Sequence, residues 1–236
     1  MAEFKENRKY TFTVEGDTEH WYFDWLQDCI NAISEAEYNV EIKSQIQQSP
    51  LKFAKKVNPI AVPSATHICD YESNDDYHVK KFKGILDELK KSNKIVGRSF
   101  RYELGYSNYT FELWMILHKM DFGGSLTDRT QYLKPINKAY GTSFESLDKY
   151  KAERNFKHCL EQLSISDVRD AIRRSKRIMD ANERNGVVEK EYSGFRYYAD
   201  NPALTIWESV EKILRAAASY SSARRVFLMM RWTEGG

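Results

Sequence analysis

Two kinds of apolar spacing divide the first half of the chain into alternating strands and helices. Short runs rich in β-branched and aromatic residues predict strands over residues 9–14, 39–45, 65–69 and 94–104. Apolar residues at helical spacing predict helices over residues 18–34, 50–57, 77–91 and 109–118. Since each strand is followed by a helix, the pattern predicts an α/β fold with a largely parallel sheet and helices on both faces.

The second half of the chain has a different pattern. A loop-like, glycine-containing stretch covers residues 120–130, and beyond it only helical spacing remains, most clearly over residues 167–181 and 201–220. The sequence therefore predicts two parts, an α/β core over residues 1–122 and a helical appendage over residues 123–236 that packs on the core.

The composition restricts the binding surfaces and the cellular compartment that we expect for the protein. The 236 residues carry a formal net charge of only +2, so any surface that binds nucleic acid has to be a local patch. The three cysteines lie far apart without metal-ligand spacing, which favours a reducing compartment. The polar N-terminus shows no signal-peptide pattern, and no apolar run reaches membrane-spanning length. We expect a cytoplasmic protein that does not bind membranes.

Acidic residues follow two of the predicted strands. Glu15 comes directly after the first strand, and Asp70 follows the third, with Glu72 two positions further on. Open α/β sheets bind their ligands at the carboxyl ends of strands, and residues i and i+2 of an extended chain point the same way. Because Mg²⁺ prefers oxygen ligands, we expect these acids to form a metal site. The alternative is that they are solvated loop residues.

Another acid lies in the predicted helix over residues 109–118, which is apolar almost all round and therefore buried. Glu112 is costly in such a helix unless it is paired or close to a metal ion, so it is either a structural acid or part of the site. His118 ends the same helix, where a charged capping role and a catalytic role are both open.

A basic helix is the strongest local patch in the predicted appendage. Arg169, Arg173 and Lys176 lie on one face, at spacings of four and seven residues, and Arg177 flanks them. This pattern predicts contacts with nucleic-acid phosphates. The alternative is a solvated helix face, because nearby acids partly offset the charge.

Motifs of several other enzyme classes are missing from the sequence. It contains no Gly-x-x-x-x-Gly-Lys-Ser/Thr loop, no Gly-x-Gly-x-x-Gly, no His-Glu-x-x-His and no Gly-x-Ser-x-Gly. The sequence therefore does not support a P-loop ATPase, a dinucleotide-binding enzyme, a zinc protease or an α/β-hydrolase.

Four segments together carry a family resemblance. They are Glu15-Gly16-Asp17-Thr18-Glu19 with Tyr22-Phe23, Asp70-Tyr71-Glu72, Ser107-Asn108 followed by Phe111-Glu112-Leu113-Trp114 and His118, and Asn201-Pro202-Ala203-Leu204-Thr205. In this order they resemble the RloB-like family, a group with a Toprim catalytic core found beside bacterial restriction and phage-defence genes. Two positions depart from the family pattern: Glu72 stands where the family usually has a second Asp, and Tyr109 stands where it usually has proline.

The resemblance implies a Toprim-like, mostly parallel sheet and a nuclease, dependent on Mg²⁺ or Mn²⁺, that acts in antiviral defence. In this comparison Glu15 is similar to the Toprim glutamate, Asp70 and Glu72 to its metal-binding acids, and Glu112 to a residue that orients them. The expected substrate is RNA, such as tRNA, with DNA as the alternative. A partner defence protein or a second copy of the chain is a further expected partner. The rival interpretation, favoured by the substituted Glu72, is a catalytically degenerate Toprim sensor or partner-binding subunit.

Overall fold

The computed structural model of the protein describes residues 5–34, 36–95 and 99–218. The first half contains β1 (Asn7–Val14), α1 (Asp17–Asn31), β2 (Asn39–Ile46), α2 (Pro50–Ala54), β3 (Ser64–Asp70), α3 (Asp76–Ile95), β4 (Arg101–Asn108) and α4 (Glu112–Lys119). The second half contains a 3₁₀ turn (Arg129–Tyr132), α5 (Leu133–Tyr140), α6 (Leu147–Lys151), α7 (Glu153–Glu161), α8 (Ile165–Arg184), β5 (Glu189–Tyr192), β6 (Phe195–Tyr198), β7 (Ala203–Leu204) and α9 (Ile206–Ala218).

The main sheet has five strands in the order β2-β1-β3-β4-β7. Strands β1 to β4 are parallel, whereas β7 pairs antiparallel with β4. β5 and β6 form a separate antiparallel hairpin. These features confirm the predicted α/β class, with a mostly parallel sheet flanked by helices and a C-terminal helix.

Burial follows from this layered arrangement. The five residues 65–69 of β3 are all buried, as expected for a parallel strand covered on both faces. Seven of the eight residues of α4 are buried as well. A Cβ at Gly105 of β4 would lie 2.5 Å from Ile68 Cδ1, so glycine allows the two strands to pack closely here. This core fixes the carboxyl ends of β1 and β3.

Several boundaries in the first half differ from the prediction, most of all those of the fourth strand. The fourth strand does not start at residue 94, because α3 continues to Ile95 and β4 begins at Arg101. β4 then extends through Ser107 and Asn108, a dipeptide with the composition of a turn, because both residues pair with β7. Contacts distant in sequence therefore override the local preference.

The second half is not purely helical as predicted, since it contains β5, β6 and β7. The predicted helix over residues 201–220 begins only at Ile206, and its positions beyond 218 lie outside the described residues. The division near residue 122 stays a prediction. In the structure β7 completes the main sheet, α8 packs on α4, and α9 packs on β4. None of the described helices has both the length and the apolar character needed to cross a bilayer.

Candidate functional site

The candidate site lies where the winding of the sheet reverses. β1 is flanked by β2 on one side and by β3 on the other, and all three strands are parallel. Open α/β sheets form a crevice at such a reversal, outside the carboxyl ends of the strands. Glu15 follows β1 directly and Asp70 is the last residue of β3, so the fold brings these two predicted acids to the crevice.

A cavity of about 290 Å³ opens at this point. Its charged lining consists of five acids and two lysines: Glu15, Asp17, Glu19, Asp70, Glu72, Lys81 and Lys151. Glu15 Oε2 accepts a hydrogen bond from the backbone N–H of Asp70 at 3.1 Å. This contact ties the ends of the two neighbouring strands together.

Asp70 lies in the most strongly perturbed environment of the cavity. Burial, followed by the negative charges of Glu19 and Glu15, raises the pKa of its carboxyl group well above the usual value. Lys151 opposes this increase, because a nearby cation favours the ionised carboxylate. Too little positive charge therefore surrounds Asp70 to offset its burial and the repulsion from other acids.

The two neighbouring acids are perturbed in the same direction. Burial raises the pKa of Glu15, and the Asp70 N–H and Lys81 partly offset this effect. Burial also raises the pKa of Glu19, whose carboxylate accepts a hydrogen bond from the Thr18 hydroxyl at 2.9 Å. Raised carboxyl pKa values clustered in a cleft are typical of functional sites.

Glu112 lies beside the cavity and does not line it. It is the first residue of α4 and only 1% exposed, and the Thr110 hydroxyl donates to its Oε2. Its Oε1 lies 3.0 Å from Lys151 Nζ. Since Lys151 does line the cavity, Glu112 acts on the site through this lysine. The ion pair therefore provides a partner for the buried acid and links it to a lysine that lines the cavity.

Glu72 reaches the cavity by a different route from the one predicted. An extended chain beyond residue 69 was expected, but β3 ends at Asp70 and Glu72 has a left-handed backbone with φ of 62°. Its N–H donates to Tyr109 O at 2.9 Å. Its carboxylate is paired with Lys81 at 2.5 Å and with His78 Nε2 at 3.1 Å. Glu72 therefore lines the predicted site while engaged by two basic groups.

Four charged lining residues escaped the sequence prediction, namely Asp17, Glu19, Lys81 and Lys151. Asp17 and Glu19 lie in the first turn of α1, where an acid has a sufficient explanation in the helix dipole. Lys81 is an exposed residue of α3, and Lys151 ends the short α6. A local signal exists only for the two acids, through their proximity to Glu15 in sequence.

His118 belongs to the core. Its Nδ1 lies 2.9 Å from the carbonyl oxygen of Trp114, which only accepts, so Nδ1 carries the hydrogen. Its Nε2 therefore accepts from the Tyr22 hydroxyl at 3.1 Å. Burial lowers the pKa of His118 to about 4, which favours a neutral ring near pH 7 and argues against the charged capping role that the sequence left open beside a catalytic one.

The predicted basic face of α8 is largely paired within the chain. Three of its cations form ion pairs: Arg173 with Asp170 at 2.8 Å, Lys176 with Glu211 at 2.7 Å, and Arg177 with Asp121 at 2.5 Å. Among the described residues, Arg169 forms no such pair. The neighbouring Arg174 donates to the carbonyl oxygens of Leu117 and His118 and so caps the end of α4. Binding of nucleic acid by α8 stays a prediction.

The donors at the cavity suit a hard divalent cation. No group of three His, Cys, Asp or Glu side chains in the described part of the chain is arranged to hold a metal ion. Mg²⁺, however, is often held by one or two carboxylates, with water and substrate phosphates as its other ligands. Glu15 and Asp70 meet that requirement. A cation between them would also relieve the shortage of positive charge that raises the pKa of both groups.

Comparison with models of protein families identifies the family of the chain. A family model described as RloB-like protein matches residues 10–213. The chain belongs to the RloB-like family. The charged residues of the cavity in this RloB-like protein lie between Glu15 and Lys151, so the match covers all of them. No curated protein and no solved structure matches it in the same comparisons.

Proposed function

We propose that this RloB-like protein is a Toprim-type nuclease that cleaves phosphodiester bonds with Mg²⁺ or Mn²⁺. The observation that carries the proposal is the contact between Glu15 and Asp70 at the sheet reversal, where both carboxyl pKa values are raised. RNA such as tRNA is the favoured substrate and DNA the alternative, by analogy with Toprim defence effectors. Antiviral defence in the cytoplasm, with a partner protein or a second copy of the chain, completes the proposal.

Five residues of the cavity lining, together with Glu112 beside it, have roles in this mechanism. Glu15 and Asp70 would hold the cation, and Glu72 would join them on separating from Lys81. The bound cation would stabilise negative charge on the phosphoryl group and position the attacking water. Lys81 and Lys151, both in the cavity lining, contact the phosphate oxygens of the substrate. Glu112 keeps Lys151 in place through their 3.0 Å ion pair.

A second function is favoured by one specific observation. Lys81 and His78 both pair with the Glu72 carboxylate, so this residue is occupied by groups of the chain itself. A site that has lost its second metal-binding acid in this way could serve a non-catalytic sensor or partner-binding subunit. The two functions differ in one measurable property, which is metal-dependent cleavage.

The direct test is cleavage of total RNA and of plasmid DNA by the purified protein, with Mg²⁺, Mn²⁺ or EDTA. We expect cleavage with either metal and none with EDTA. Glu15→Gln should abolish it, because a neutral amide is a weak ligand. Glu145→Gln makes the same change at an exposed loop position and should leave cleavage intact. If Glu15→Gln keeps full activity, the assignment of Glu15 to the metal site is refuted. If the wild type cleaves neither substrate under any condition, the non-catalytic sensor is favoured.

A further inference from the structure

The surface of α2 and α3 carries exposed lysines without partners in the described part of the chain. They form no ion pair and no side-chain hydrogen bond with a described residue, in contrast to the cations of α8. We call these seven residues the lysine face: Lys52, Lys55, Lys56, Lys80, Lys90, Lys91 and Lys94.

The acids in the middle of α3 are held at its flanks by other elements. Asp87 accepts hydrogen bonds from the hydroxyls of Ser193 at 2.5 Å and Tyr192 at 3.2 Å, in the β5–β6 hairpin. Glu88 accepts from the Ser49 hydroxyl at 2.6 Å, just before α2. Both carboxylates keep their negative charge, and besides the Ser193 hydroxyl the positive charges of Lys91 and Lys90 help to lower the pKa of Asp87. Among the described residues, neither carboxylate forms an ion pair with a lysine of α3, so the ammonium groups of the lysine face stay exposed.

The lysine face continues into the candidate site. Lys81, next to Lys80 on α3, lines the acidic cavity, and so does Gln48, which lies just before α2. From Lys80 to Lys94 the helix rises about 21 Å at ~1.5 Å per residue. That length matches roughly six phosphates at the ~3.4 Å rise per nucleotide of one strand of a double helix.

We propose that the lysine face binds the phosphate backbone of a nucleic-acid strand and leads it to the cavity between β1 and β3. Ammonium groups that form no ion pair with the described residues are free to replace the counterions of a polyanion, which is the main source of non-specific affinity for nucleic acid. The proposal rests on the proposed function only in placing the strand at that cavity. Binding itself requires neither metal nor cleavage.

The test is fluorescence anisotropy with a labelled 20-nucleotide single-stranded RNA in EDTA, over a series of salt concentrations. The double variant Lys80→Gln, Lys91→Gln removes two charges from the lysine face. Each lost phosphate contact should flatten the log–log salt slope by about 0.7, so we expect a change of about 1.4 and an affinity about 25-fold lower at ~0.1 M salt. Lys80→Arg with Lys91→Arg should keep the original slope.

The matched control is Lys134→Gln with Lys138→Gln, two exposed lysines of α5 that form no ion pair with a described residue. It makes the same charge change and should leave slope and affinity unchanged. Thermal melting of every variant shows whether it is folded, and exposed helix positions should tolerate glutamine.

Three results would overturn the proposal. The first is an unchanged salt slope in the folded α3 double variant. The second is an equal loss of RNA affinity in the α5 control. The third is a loss of RNA affinity that occurs only in the α8 variant Arg169→Gln with Arg173→Gln. Tighter binding to phosphatidylserine vesicles than to the RNA would also overturn it, since it would show a membrane surface as the partner. If α3-dependent RNA binding is found without cleavage under any metal condition, the nuclease proposal fails while this inference is supported.

Discussion

Removal of Lys151 gives a sharp test of how the second half of the chain supports the acidic cavity. Its ammonium lies 3.0 Å from Glu112, whose side chain is 1% exposed, whereas that of Lys151 is 34% exposed. Lys151→Met keeps most of the aliphatic stem and removes the charge. Glu112 then keeps the Thr110 hydroxyl as its only described side-chain partner.

The expected cost follows from this difference in burial. Removing one partner of a buried ion pair typically destabilises a protein by about 3–5 kcal/mol, because the other charge is left buried. Water already screens part of Lys151, so we expect a smaller loss of about 2–3 kcal/mol. For a chain of this size each kcal/mol lowers Tm by about 2–4 °C, which gives a decrease of about 4–12 °C.

Differential scanning calorimetry in EDTA at neutral pH measures this loss. Lys149→Met is the matched control, because Lys149 is an exposed residue of the same helix, α6, whose side chain has no ion-pair partner in the described ranges. The double variant Lys151→Met, Glu112→Gln should recover much of the loss, since the buried Glu112 charge that lost its ion-pair partner is then removed as well. Equal Tm values for the Lys151 and Lys149 variants would refute the reasoning.

Three further predictions concern the acids of the cavity. Asp70→Asn should abolish cleavage but raise Tm at about pH 8, because a carboxyl group with a raised folded pKa costs stability once ionised. The gain in Tm should disappear below about pH 4, where Asp70 is protonated in both the folded and the unfolded state. A lower Tm of the variant at about pH 8 would contradict this. Glu72→Asp should retain RNA cleavage and Glu72→Ala should lose it, whereas an active alanine variant would limit Glu72 to its ion pairs. Mg²⁺ should raise the Tm of the wild type but not of Glu15→Gln, and equal shifts would place the ion elsewhere.

The positions of Glu15 and Asp70 could be predicted because they depend on regularities visible in the sequence. Runs of apolar and β-branched residues identify β1 and β3, and alternation with helices implies a parallel sheet. The carboxyl ends of parallel strands lie on one edge of the sheet. Two acids that directly follow such strands are therefore close together without any knowledge of side-chain packing.

Glu72 and Lys151 could not be placed in this way, for two different physical reasons. The direction of Glu72 depends on a left-handed turn that is stabilised by a backbone hydrogen bond to Tyr109, which is distant in sequence. Lys151 reaches Glu112 only because the fold brings the last residue of α6 to the first residue of α4, and no local pattern reports that contact. Periodicity predicts which face of an element is buried, but not which element covers it.

The prediction of charged binding surfaces from sequence has the same limit, because a sequence displays the cations but not their partners in the fold. On α8 the closely spaced basic residues resemble a phosphate-binding face, yet Asp170, Glu211 and Asp121 neutralise three of them. On α3 the lysines alternate with acids and resemble a mixed surface, yet Asp87 and Glu88 are bound by neighbouring elements at the flanks. Attraction of a polyanion depends on the charges left without internal partners. By that criterion the stronger candidate surface is the lysine face beside the cavity, although α8 has the denser run of basic residues.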